Sequence, residues 1–106
     1  MPKFLIQGSY TSEGLKGLQK DKASGRKAAV SAAAEAAGGK LDAIYYCLGQ
    51  DDVIVIVDLP DAVAATALSV TASASGLVHT KTSALLTVEE ADKALAKSIS
   101  YRPPGR

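Results

Sequence analysis

His79 is the only imidazole in the chain, and Lys81 follows it two residues later. In a β-strand, residues two apart point to the same face. An imidazole titrates near neutrality and can pass a proton to or from a reacting group. An ammonium group beside it can hold an anionic substrate or a developing oxyanion. Gln7 and Ser9 repeat the two-residue spacing near the N-terminus. If the two segments are neighbouring strands, Gln7, Ser9, His79 and Lys81 gather on one face as candidate ligand-binding residues, with His79 the candidate catalytic group. No carboxylate or nucleophile is spaced to pair with His79, so a hydrolase triad is not indicated. The bland reading is that His79 and Lys81 line a wet subunit interface or an edge strand, where lysine discourages aggregation.

Tyr45 and Tyr46 are adjacent, so a strand sends one phenol to each face. Either a ligand hydrogen bond or an interface anchor suits the phenol that faces away from the helices. Cys47 sits in an apolar run and reads as a small buried hydrophobe. One histidine, one cysteine and scattered carboxylates offer no ligand spacing for zinc or calcium. No metal and no cofactor is expected. Lys16, Lys20, Lys22, Arg26 and Lys27 form the densest basic stretch, but the segment lacks P-loop spacing. It reads as a solvated helix face.

A chain of 106 residues supports one domain, and 47% hydrophobic with 22% charged residues argues against disorder. Twelve Lys/Arg against eleven Asp/Glu leave a net charge of +1, with no tryptophan and only five aromatics, which speaks against nucleic-acid binding. A single cysteine allows no internal disulfide, and the N-terminus lacks the basic-then-apolar pattern of a secretory signal. No stretch nears the ~18 apolar residues of a membrane span. A cytoplasmic protein with neither nucleic-acid nor membrane partner is the expectation.

These residues must be held by elements, and the chain announces them. Lys3 to Tyr10 alternates as a strand, with Phe4, Ile6, Gly8 and Tyr10 on one face. Thr11 or Ser12 can cap a helix running to about Ala37, with an irregularity near residues 21 to 25, and Gly38-Gly39 ends it. Lys40 to Leu48 and Val53 to Leu59 read as strands joined by Gly49-Gln50-Asp51-Asp52. There Gly49 supplies positive φ and Asp52 bonds nearby amides, so both read as structural turn residues. Asp61 caps a second helix reaching Ser75, and Leu77 to Leu86 is a fourth strand. Thr87 and Glu90 match a capping box for a last helix. Residues 1–100 thus form one domain and residues 101–106 an extended or disordered tail.

Strand, helix, strand, strand, helix, strand is the split βαβ order of a ferredoxin-like α+β fold. It implies a four-stranded antiparallel sheet in the order 4-1-3-2, with both long helices on one face and a C-terminal helix added. Fifteen of the nineteen alanines lie between Ala23 and Ala74, and they let those helices sit close on the sheet. Val53 to Val57 is apolar on both faces, and so is the second strand. Helices can cover only one face. Leaving large Ile, Val and Tyr side chains in water forfeits about 1.5–3 kcal/mol each. A second copy packed sheet to sheet is the economical cover, so a homodimer or higher homo-oligomer is expected.

The opening KFLIQGSYTSEGLKGL, the turn Gly49-Gln50-Asp51-Asp52-Val53 with VIVDLPD after it, and the Ala/Ser-rich helix ending in Ser75-Gly76 resemble the GYD-domain family. The resemblance implies a ferredoxin-like domain of the dimeric α/β-barrel group, whose relatives include small monooxygenases, isomerases and ligand-binding proteins. The family's turn reads Gly-x-Tyr-Asp; Gly49 and Asp52 match it, while Asp51 takes the tyrosine slot. Three functions remain in play. The first is binding of a small apolar or anionic organic molecule between the open sheet face and a partner, by Gln7, Ser9, Tyr45, Tyr46, His79 and Lys81. The second is cofactor-free oxygenation or isomerisation with His79 moving the proton. The third is a structural assembly module.

Overall fold

The computed structural model describes residues 1–47 and 49–106. The elements run β1 (Lys3–Tyr10), α1 (Ser12–Ala36), β2 (Lys40–Tyr46), β3 (Val53–Asp58), α2 (Ala62–Ala74), β4 (Val78–Leu85) and α3 (Val88–Ala96). The strands form one antiparallel sheet in the order β2-β3-β1-β4, the expected split βαβ arrangement. The expected end of the second strand at Leu48 lies outside the described residues.

Two-residue alternation sorts the sheet. Phe4, Ile6, Val53, Val55 and Val57 are buried on the helix side, where Leu59, Ala34 and Ala65 complete the core. The opposite face carries Leu5, Gln7 and Ser9 of β1, with Ile54 and Ile56 of β3. In the register, Leu5 faces Ile56 and Ser83, and Gln7 faces Ile54 and Lys81. The pairing of β2 with β3 slips between Leu41 and Ala43, so Asp42 bulges out and its carboxylate reaches Lys3 Nζ at 3.1 Å. The same ammonium donates to Asp58 at 2.8 Å, the one buried charged residue among those described. That hydrogen bond holds the Asp58 carboxyl below the usual carboxylate range and raises Lys3.

Each helix begins where its sequence says. Thr11 Oγ1 accepts from the Gly14 amide at 3.1 Å, and Asp61 Oδ1 accepts from Ala64 at 2.8 Å. Gly14 is required by proximity: a Cβ there would stand 1.9 Å from the Leu77 carbonyl oxygen. The expected irregularity in α1 is a kink at Lys22, whose φ of 65° and ψ of 167° belong to a region that favours glycine. Thr87 and Glu90 form the capping box of α3.

The alanine-rich helices do not close over the whole sheet. α1 packs mainly on β2, and α2 packs on β4, where Ser73 and Thr80 share a hydroxyl–hydroxyl hydrogen bond of 2.9 Å. The central strands β1 and β3 are left beneath the space between the helices. α3 packs closely on none of the described elements. The chain therefore extends 53 × 32 × 23 Å with a radius of gyration of 16.5 Å, against about 13 Å for a compact domain of this length.

Candidate functional site

The open sheet face holds five of the six residues singled out for ligand contact. Tyr45, Ile54, Gln7 and Lys81 form one row across all four strands, and Ser9 faces His79. Tyr46 points the other way, toward the helices.

What organises the polar end of this face is Asp51, from the β2–β3 turn. Its carboxylate accepts from Gln7 Nε2 at 3.2 Å, Ser9 Oγ at 3.1 Å and Lys81 Nζ at 3.3 Å. Only 14% of its side chain is exposed. Ser9 also donates to the Gln50 carbonyl at 2.9 Å. The slot where the family pattern carries a phenol thus holds a carboxylate that ties the turn to β1 and β4. Asp52 completes the clasp by accepting from the Tyr10 amide at 2.8 Å, and Gly49 turns the chain at φ 153°. Cys47 Sγ donates to the Asp51 carbonyl at 2.8 Å. Gln7, Ser9 and Lys81 therefore direct donors at Asp51, and His79 stands exposed beside them.

The cavity lies on the other side of the sheet, in the gap between α1 and α2. It encloses about 230 Å³. Ile6, Val53 and Val55 floor it, and Gly8 leaves part of that floor without a side chain. Val30 and Ala33 of α1 face Leu68 and Ala72 of α2 across it. Alanine is too short to fill the span between helices seated on opposite flanks of a sheet, so the small-residue composition becomes empty space here. Polar groups enter from few directions: Tyr10, Arg26 and the hydroxyls of Ser69, Thr71 and Thr80.

Arg26 was expected on a solvated face. Beyond the Lys22 kink, the helix turns its half-buried side chain into the cavity lining. Among the described residues its carboxylate partner is Asp21, at 3.8 Å. Tyr46, opposite Val53, packs against the core on the helix side of the sheet. Its hydroxyl is buried without a hydrogen-bond partner, and burial pushes its pKa up to about 12. The nearby Tyr10 phenol adds to that rise without reaching hydrogen-bond geometry, and Arg26 works against it. The Tyr46 phenol is thus a proton donor at any physiological pH.

Sequence parity alone missed Asp51 and Arg26. Arg26, Ala29, Val30 and Ala33 follow the i, i+3, i+4, i+7 spacing of one helix face, a signal that placed Arg26 with the apolar side. Asp51 left no comparable trace, because a turn residue's partners depend on how the turn folds back.

Among the described residues, no group of three or more His, Cys, Asp and Glu side chains is placed to hold a metal ion. No helix there is long and apolar enough to cross a membrane. No curated protein and no solved structure matches the chain. The family model of the GYD domain matches residues 4–95, a span running from β1 into α3 and including both the Asp51 clasp and the cavity. The chain belongs to the GYD domain family.

Proposed function

We propose that this protein binds a small organic molecule in the cavity between the helices and the sheet, and that it works as a homodimer sealed through the open sheet face. The cavity carries the first half: an apolar hollow entered by a few convergent polar groups is the usual character of a small-molecule site. At about 230 Å³ it exceeds the roughly 150 Å³ that suffices for benzene and falls short of the ~300 Å³ where drug-sized pockets begin. A molecule of one or two rings suits it. The open face was the location expected from the sequence; its donors, however, are turned toward Asp51, and that favours the helix side for the ligand.

The second half rests on Leu5, Ala43, Tyr45, Ile54 and Ile56, an apolar strip on the open face with Tyr45 65% exposed. The charges flanking it lie beside opposite charges: Lys3 is paired with Asp42 and Asp58, Lys81 with Asp51, and Lys40 stands opposite Asp58 in the strand register. A second copy related by a two-fold axis covers such a strip while meeting no unopposed charge. Untargeted mass spectrometry of small molecules released from the purified native protein tests the binding. A compound retained by the wild type and lost in a folded, cavity-filled Ala33→Phe variant is the expected result. Identical extracts from both proteins would overturn it.

A further inference from the structure

Resting on the cavity reading above, we infer that the ligand is an aromatic or alicyclic acid: its ring fills the apolar hollow and its single anionic group meets Arg26. Three observations converge there.

The first is the asymmetry of the lining. The floor and the facing helix walls are largely aliphatic, while Arg26 is the one formal charge in the lining and Tyr10 its one phenol. A neutral aromatic ligand gains at most a cation–π contact from a guanidinium; a carboxylate, phenolate or enolate accepts two of its N–H donors at once.

The second is that Arg26 is held in reserve. Its contact with Asp21 is 3.8 Å, too long for a hydrogen bond, and no hydrogen bond from it is formed among the described residues. A half-buried guanidinium in the cavity lining, with a long ion pair to Asp21 as its carboxylate contact and its N–H donors unbonded, has donors left for an anion.

The third is the backbone that sets Arg26 there. Lys22 adopts φ 65° and ψ 167° in the middle of a helical run, a conformation that costs a non-glycine residue free energy. The kink lies four residues before Arg26, about one helical turn.

The test uses a graded set of probes: 2-naphthoate, its neutral isostere 2-naphthamide, and naphthalene. Each is titrated into the wild-type protein and into Arg26→Gln and Tyr10→Phe by calorimetry, with circular dichroism to establish that each variant is folded. We expect naphthoate to bind the wild type at least about ten-fold more tightly than naphthamide, the scale of one charge-assisted hydrogen bond. Arg26→Gln should erase that preference by lowering naphthoate affinity to the level of naphthamide, and Tyr10→Phe should narrow it. If naphthamide or naphthalene binds as well as the acid, the anionic assignment falls while the cavity reading stands. If none of the probes binds, both fall. If the preference survives in Arg26→Gln, Arg26 is not the anion's partner and the assignment falls.

Discussion

At the scale of single residues, one carboxylate occupies three of the side chains that were expected to contact a ligand. Asp51 draws Gln7, Ser9 and Lys81 into a single knot, and so fixes the β2–β3 turn against the far edge of the sheet. Removing it strands part-buried donors, so Asp51→Ala should lower unfolding free energy by about 1–2 kcal/mol; chemical denaturation measures this. The exposed Lys81 adds little to that figure. Tyr46 offers a pH signature with a definite sign. Its folded pKa is raised to about 12, above the value near 10 of a solvated phenol. Between those values the unfolded state has released a proton that the folded state keeps, so the contribution is complete below pH 10 and is lost as pH climbs toward 12. Absorbance titration should show one phenolate forming late, and Tyr46→Phe should delete that step. Parity along the strands was enough to gather Gln7, Ser9, His79 and Lys81 on one face, but not to set the register that puts Gln7 opposite Lys81 and Ser9 opposite His79. The role of Asp51 was not legible, because local spacing says nothing about which side chains a turn will meet across the sheet.

At the scale of elements, caps and alternation were plain in the sequence because both are local. Thr11, Asp61 and Thr87 begin their helices with side-chain hydrogen bonds to backbone amides. β1 runs over the residues its alternation marks. The break in α1 was legible as weakened helix between Asp21 and Gly25, but not its sharpness, which falls on Lys22, a residue with no intrinsic taste for positive φ. Lys22→Gly should relieve that strain and raise stability by about 1 kcal/mol despite glycine's poor helix propensity, whereas Lys22→Ala should bring no gain; thermal melts separate the two. The helix-to-helix gap carries another expectation. Ala72→Leu fills part of the hollow and should raise the stability of the ligand-free protein by about 0.5–2 kcal/mol, while weakening binding of ring-sized ligands. Calorimetry of both proteins, with and without naphthoate, reads the two effects together. α3 differs from the other helices, since it packs closely on none of the described elements. Thr87→Ala should therefore accelerate amide exchange within residues 88–96 and leave the global melt nearly unchanged.

For the whole molecule, fold order and the two-sided apolar strands were both readable from hydrophobic periodicity, which reports burial on each face of a sheet. The hollow was not. Alanine runs announce that helices can come close to a sheet; they do not reveal that the helices will take opposite flanks, over β2 and β4, and leave the middle open. The same composition is thus compatible with a filled core or a cavity, and only the placement of α1 and α2 decides. The face opposite the cavity makes the molecule's second demand. Ile54 and Ile56 are separated from solvent by no helix, and Ile56→Lys should convert a two-chain mass in sedimentation equilibrium to a one-chain mass at micromolar concentration. A one-chain mass for the wild type would remove the dimer without touching the cavity.

The location of the ligand decides most directly between the two faces. In methyl-labelled protein titrated with 2-naphthoate, the expected result is saturable shifts at Val30, Val53 and Leu68, which line the hollow, with Leu5, Ile54 and Ile56 unmoved. Shifts confined to Leu5, Ile54 and Ile56, or none at any of these methyls, would contradict a binding site between helices and sheet.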